Sequence, residues 1–193
     1  MSTTTLSRLV FDGPIGLVSA REMARGSADL EHEAAALLDP AADDKVLTIG
    51  CGPGVGIDAL LARARDGWVA AVDPSWAMIR AARRRHRDAI AAGRVTLART
   101  DAARLPWPDA TFDGATAVNS VMLWTPLADS LAEVARVLRP GGQLVTLTHT
   151  WAFERLGTST ERWLADAEPL VPDAGFDDLR VDRGHARSGP TVA

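Results

Sequence analysis

The chain has little with which to make several common functional devices. It has a single cysteine, Cys51, among 193 residues. That excludes an intrachain disulfide framework and points to a reducing compartment, with cytoplasm as the expected location. Lysine is almost missing: Lys45 is the only one, the other basic residues being arginine, which reads as a coding preference. The net charge is −4, with no basic surplus to hold a polyanion, so no nucleic-acid partner is expected. No apolar run approaches the roughly 18 residues of a membrane span. Arg8, Asp12, Gly13 and Pro14 interrupt the N-terminal apolar residues, so no signal peptide is expected. No His, Asp and Cys cluster has metal-ligand spacing, and no metal site is expected. With neither repeat nor linker, the chain reads as one domain, 1–193.

What is present centres on Lys45-Val-Leu-Thr-Ile-Gly-Cys-Gly-Pro-Gly-Val-Gly56. Val46 to Ile49 is a short, β-branched apolar run suited to a buried strand. Glycines 50, 52, 54 and 56 follow, and then an apolar helical stretch from Ile57. Strand, glycine turn and helix make a nucleotide-type pocket, because a backbone without Cβ atoms turns sharply and lets a ligand lie against it. The next helix N-terminus adds unpaired N–H groups. A dinucleotide fingerprint, G-x-G-x-x-G, would place its third glycine at position 55, which is Val55. Asp73 ends a second strand, Trp68–Asp73, about 20 residues beyond the turn, where an acid accepts both ribose hydroxyls of a nucleoside. Ser75 is then the expected N-cap of a helix running from Trp76 to Ala91.

Val46-Leu-Thr-Ile-Gly-Cys-Gly-Pro-Gly54 resembles the first motif of the class I S-adenosylmethionine-dependent methyltransferases. Thr100-Asp-Ala-Ala-Arg-Leu-Pro106 with Phe112-Asp113 resembles their acidic loop, and Leu138-Arg-Pro-Gly-Gly142 resembles a turn of the quinone- and sterol-type members. The resemblance implies an α/β fold: a Rossmann-like, doubly wound and mostly parallel sheet with helices on both faces. It divides the chain into an N-terminal helical lid (1–40), a cofactor core (45–150) and an acceptor-side segment (151–193). It also implies S-adenosylmethionine as cofactor, S-adenosylhomocysteine as product, and Thr48, Gly50, Cys51, Gly52, Gly54, Asp73, Pro74, Met78, Asp101, Ala102 and Asn119 as cofactor-binding residues. Asp101 would take the adenine amine, the Ala102 N–H a ring nitrogen, and Asn119 the methionyl part.

Two positions depart from the family. Position 48 is usually Asp or Glu, and Thr48 brings no charge. Many relatives carry His near position 124, whereas Trp124 cannot act as a base. The tetrapeptide of amino-group methylating enzymes is absent after the fourth strand.

The remaining expectations concern the acceptor side. A helix over 17–38, broken near Ser27, presents Leu30, Ala34, Leu37 and Leu38 on one face, with Met23, Arg25 and His32 as lid candidates for acceptor binding. Arg83, Arg84, Arg85 and Arg87 read as a solvated helix face, and His86 among them has no assigned role. Trp107 either shields adenine or packs. Strands are expected at 94–99, 112–119, 143–149 and 178–183, and helices from Pro126 and over 158–168. His149, at a strand's carboxyl end, is the candidate general base, with Trp124 and Trp151 as acceptor walls. Gly189 to Ala193 could only begin a last strand, short or truncated, and its exposed edge invites a second copy of the chain as a homodimer. The expected reaction is in-line methyl transfer to a small apolar or aromatic molecule. The alternatives are a protein that binds S-adenosylmethionine without methyl transfer, and an NAD-dependent reductase, against which Val55 and the Asp101 loop count.

Overall fold

The structure, a computed structural model, describes residues 28–186 and 189–193. Met23, Arg25 and the Ser27 cap lie outside the described residues. Helix α1 spans Ala28–Leu38 and turns Leu30, Glu31, Ala34, Ala35 and Leu38 inward. The expected face is corrected: Leu37 is 48% exposed, and Glu31 takes a place among the buried residues. α1 is also a core helix rather than only a lid. Leu30 and Ala34 pack with Val118 and Leu147, while Ala35 and Leu38 join the cluster that includes Val46 and Ile57.

Strand β1 (Lys45–Ile49), helix α2 (Val55–Arg63), strand β2 (Trp68–Val72), helices α3 (Trp76–Arg85) and α4 (Arg87–Ala91) and strand β3 (Val95–Ala98) follow in order. The expected single helix over 76–91 is therefore two helices, parted at His86. Strand β4 (Phe112–Val118) leads through a 3-10 turn, Val121–Leu123, to helix α5 (Leu127–Val137) and strand β5 (Leu138–His149). Three short helices, α6 (Thr150–Glu154), α7 (Thr160–Ala167) and α8 (Leu170–Asp173), precede strands β6 (Arg183–Ala186) and β7 (Gly189–Val192).

The seven strands form one sheet in the order β3-β2-β1-β4-β5-β7-β6. The first five pair in parallel, and β7 pairs antiparallel with both β5 and β6. Alternation along the strands feeds two cores. Val46, Val69 and Ala71 face Ile57, Leu60 and Ile79 on one side. Leu47, Ile49, Ala70 and Val72 face Val134 and Val137 of α5 on the other. A parallel sheet covered on both faces needs this near-continuous apolar content. The strand order reverses between β1 and β4, so ligand space opens beyond their carboxyl ends.

Three C-terminal expectations change. The Leu138-to-Gly142 turn is built into β5: Phe112 pairs with Leu138, Gly114 with Gln143, and the intervening residues bulge. A Cβ on Gly142 would stand 2.9 Å from the Arg139 carbonyl oxygen and 3.1 Å from that of Asp113, so the return to the ladder requires glycine. The sixth strand lies at Arg183–Ala186 rather than 178–183, because its register is set by β7 and not by its own weak pattern. The last strand is short, but it completes the antiparallel hairpin.

Trp68, Trp107 and Phe112 form an aromatic group at the amino ends of β2 and β4, with Phe112 stacked 5.5 Å from Trp68 and edge-on at 5.3 Å to Trp107. Phe112 is fully buried. Phe112→Ala is expected to lower unfolding free energy by about 3–5 kcal/mol in chemical denaturation, and a loss under about 1 kcal/mol would remove this group from the core.

Candidate active site

The glycine turn joins β1 to α2 by a run of left-handed residues: Gly50, Gly52 and Gly54 have φ of 75°, 51° and 93°. Two of them also face close neighbours. A Cβ on Gly50 would lie 2.5 Å from Ser120 Cβ, and one on Gly54 would lie 2.8 Å from His86 Nε2. Side chains are excluded there by backbone geometry and by space together.

The turn is held from three other elements. Gly50 and Cys51 both donate N–H to the Val72 carbonyl at 2.9 Å. Asp73, buried just after β2, accepts the Gly52 N–H at 2.9 Å on one carboxylate oxygen and the Ser75 N–H at 2.8 Å on the other. The Ser120 hydroxyl, just beyond β4, donates to the Ile49 carbonyl at 2.8 Å. His86, to which the sequence reading gave nothing, donates from Nε2 to the Gly54 carbonyl at 2.7 Å. Its Nδ1 lies 3.6 Å from Asp58, which is also paired with Arg85 at 2.5 Å. The buried His86 stands at the α3–α4 break, capping both helices, and its ring reaches the turn from there.

The acidic loop is clamped from α5. Arg136 donates to the Trp107 carbonyl at 2.9 Å, the Leu105 carbonyl at 3.1 Å, Asp109 at 2.6 Å and Glu133 at 2.7 Å. Glu133 in turn accepts the Leu105 N–H at 2.8 Å. The hydrogen bonds from Arg136 hold the Glu133 carboxyl below its ordinary pKa. This fixes the segment that carries Asp101, whose side chain is exposed and accepts the Ala103 N–H at 3.2 Å, and the buried Ala102. Trp107 packs against Phe112, at the end of the sheet away from the glycine turn, so of the two roles left open for it the structure has packing.

On the acceptor side, Asn119 has a left-handed φ of 48°. Its Oδ1 accepts the His149 backbone N–H at 2.9 Å and lies 3.2 Å from His149 Nδ1. Asn119 therefore positions His149; its oxygen is not spare for a methionyl group. The His149 ring stacks on Trp151 at 5.2 Å, and Arg155 sits 4.5 Å over the Trp151 ring. Burial lowers the His149 pKa, so the ring is neutral at neutral pH.

The other expected residues separate. Thr48 is buried in β1 and Met78 in α3, Pro74 is exposed, and Trp124 is half-buried against the β1–α5 core. His32 is exposed on the outer side of α1, because helical spacing sends residues 31, 34, 35 and 38 inward, and it is left out of the site. The Cys51 thiol is pushed well above its ordinary pKa by burial, then by Asp73 and Glu31, which suits a packing thiol and not a nucleophile. Glu31 was missed. It is buried, and Oε2 would stand 2.3 Å from a Cβ on Gly56, at the start of α2. Its sequence signal is an acid on the apolar face of a helix.

These residues fit an adenosyl cofactor: a cradle that Cβ atoms would fill, a buried acid at the end of β2, and a clamped acidic loop beyond β3. Residues 46–142 match the family described as a methyltransferase domain. The chain belongs to the methyltransferase domain family. The fold, the glycine turn and the matched segment identify its class as the class I S-adenosylmethionine-dependent type.

The methyltransferase chain is similar to a fatty-acid O-methyltransferase of Mycolicibacterium smegmatis, with 37% identity over 176 residues, covering 90% of this chain and 61% of that protein. It spans 42% and 40% of the lengths of two other similar O-methyltransferases. A solved S-adenosylmethionine-dependent methyltransferase of Aquifex aeolicus shares the fold at a TM-score of 0.68 and 18% identity, covering 100% of this chain and 96% of that one. The [4+2]-cyclase SpnF shares it at 0.65 and 24% identity, covering 84% and 62%. Among the described residues no helix is long and apolar enough to cross a membrane.

Asp73→Ala leaves two backbone N–H groups without their acceptor and is expected to weaken S-adenosylhomocysteine binding by tenfold or more, a loss of at least about 1.4 kcal/mol. Trp107→Leu is expected to lower the melting temperature with S-adenosylhomocysteine affinity unchanged within about twofold by calorimetry; a tenfold loss would restore an adenine contact.

Proposed function

We propose that this methyltransferase moves the methyl of S-adenosylmethionine to an oxygen of a small apolar acceptor, with His149 taking the proton when that oxygen is a hydroxyl. The observation that carries this reading is the held His149. Asn119 Oδ1, 3.2 Å away, accepts from Nδ1–H, so in the neutral ring the lone pair lies on Nε2. Burial keeps that pair unprotonated at neutral pH. The similarity to proteins named as O-methyltransferases supports oxygen as the acceptor atom. Trp151 and the half-buried Trp124 supply apolar, planar surface near the strand ends.

When bound, S-adenosylmethionine supplies a methyl already activated by its sulfonium charge. The chain's own residues then have modest tasks. The glycine turn and Asp73 would hold the adenosyl portion, Asp73 being the acid suited to ribose hydroxyls. Asp101 and Ala102 would read the adenine edge from the clamped loop. Asn119 sets the His149 ring, and His149 would accept the hydroxyl proton as the acceptor oxygen bonds to the methyl carbon and the sulfur–methyl bond breaks, its electron pair leaving with S-adenosylhomocysteine. An acceptor that is already a carboxylate needs no base, so alignment and exclusion of water suffice for it. A second reading, in which the cofactor is bound without methyl transfer, is motivated by the buried, neutral Thr48.

The test uses labelled S-adenosylmethionine with phenols and with medium-chain fatty acids. His149→Ala is expected to slow phenol methylation by about a hundredfold or more while leaving carboxylate methylation within about threefold. For the wild type, phenol turnover should hold as pH falls to the ordinary imidazole value of 6.5 and drop only below it, since protonation of His149 is shifted downward. Transfer to phenols at the wild-type rate by His149→Ala would remove the base. Binding of the cofactor with no transfer to any acceptor would favour the second reading.

A further inference from the structure

We infer that Glu31 is the carboxylate that receives the ammonium of the cofactor's methionyl end at the glycine turn, in place of the acid that β1 lacks at Thr48. The inference rests on the reading of this pocket as an S-adenosylmethionine site.

Three observations carry it. Glu31 is buried on the inward face of α1, 8% exposed, and makes no hydrogen bond or ion pair among the described residues. A buried carboxylate without a partner is costly, and its presence calls for a cationic or proton-donating ligand. The side chain is also aimed at the turn. Its Oε2, Cδ and Oε1 lie 2.3, 3.0 and 3.5 Å from the Cβ position of Gly56, so glycine at 56 makes the room that the carboxylate occupies. Finally, the neighbouring strand position that could have supplied charge is Thr48, buried and neutral.

Among the described residues no cation pairs with Glu31. The titratable neighbours in this corner are Asp73 after β2 and the Cys51 thiol in the turn, which burial, Asp73 and Glu31 together push up. On α2, Asp58 is committed to Arg85 and His86, and Arg63 to Asp39 at 2.9 Å. On α1 itself His32 and Glu33 are exposed; at the end of β5, His149 is held neutral by burial. Burial raises the Glu31 carboxyl to a pKa of about 8, so the ligand-free protein holds it protonated at neutral pH. Receiving an ammonium then requires the carboxylate: the proton leaves Glu31 for solvent, and a buried ion pair replaces a neutral acid. Cofactor loading is thereby coupled to release of a proton. The sign follows from linkage. The free protein binds the proton more tightly than the complex does, so affinity rises with pH up to the Glu31 value and then levels.

The experiment is titration calorimetry of the full chain with S-adenosylhomocysteine, which carries the ammonium, and with 5′-methylthioadenosine, which lacks the amino-acid end. Buffers of different ionisation enthalpy read the protons exchanged. Near pH 7, about one proton should be released per S-adenosylhomocysteine bound and none for 5′-methylthioadenosine. Affinity for the former should rise about tenfold per pH unit from pH 6 to 7.5. Glu31→Gln should abolish the proton release and weaken S-adenosylhomocysteine at pH 8.5 by at least about tenfold, leaving 5′-methylthioadenosine within about twofold. Glu31→Asp should keep the proton release. If Glu31→Gln does not fold, the wild-type pH series and the ligand pair still decide. Equal proton release by both ligands, no release by either, or unchanged affinity in Glu31→Gln would overturn the inference while leaving the cofactor site intact. Binding of neither ligand by the wild type would instead overturn the pocket reading on which it stands.

Discussion

The fold turns on a run of left-handed glycine residues between β1 and α2. A backbone in that conformation exposes N–H and C=O groups that neither the sheet nor the helix can pair, and each left buried and unsatisfied costs about 1–3 kcal/mol. The structure meets this demand from three directions. Asp73 accepts from Gly52, His86 donates to Gly54, and Ser120 closes against Ile49. The elements bearing these residues are the end of β2, the α3–α4 junction and the end of β4, so fixing one turn fixes the relative placement of much of the domain.

A second constraint operates through charge. The loop after β3 has few apolar anchors, and α5 holds it through Arg136, whose planar guanidinium reaches two backbone carbonyls and two carboxylates at once. Such a fork defines geometry better than separate ion pairs at the surface, which individually contribute little. On the acceptor side a neutral pair does comparable work: Asn119 adopts a strained left-handed conformation and orients His149. Strain of this kind persists where the surrounding structure over-determines it, here where β4 and β5 end side by side.

The treatment of negative charge differs from what the first-strand motif leads one to expect. Charge placed on β1 would be fixed beside the glycine turn and beside Asp73. With Thr48 neutral, the buried acid nearest the turn comes from α1, outside the motif. A carboxyl on a separate helix, raised by burial, can be neutral in the empty protein and charged in the complex, so the repulsion with Asp73 is avoided until a cation arrives.

How much was legible depended on the range of the interaction involved. Locally coded features were readable in the sequence: the β-branched run of β1, the glycine turn, the acid after β2 and the Ser75 cap. Their hydrophobic periods and backbone requirements belong to a few consecutive residues. Together with a resemblance spanning 45–150 they pointed to a doubly wound, mostly parallel sheet with ligand space beyond the carboxyl ends of its strands. Tertiary structure decided the rest. Nothing near His86 in sequence names Gly54 as its partner, and nothing near Asn119 names His149, 30 residues away. The inward turn of Glu31 and the outward turn of His32 and Leu37 depended on how α1 is rotated against the sheet. The position of β6 depended on pairing with β7. Each of these is set by long-range packing and by the need to pair buried polar groups, and neither is written in local sequence spacing.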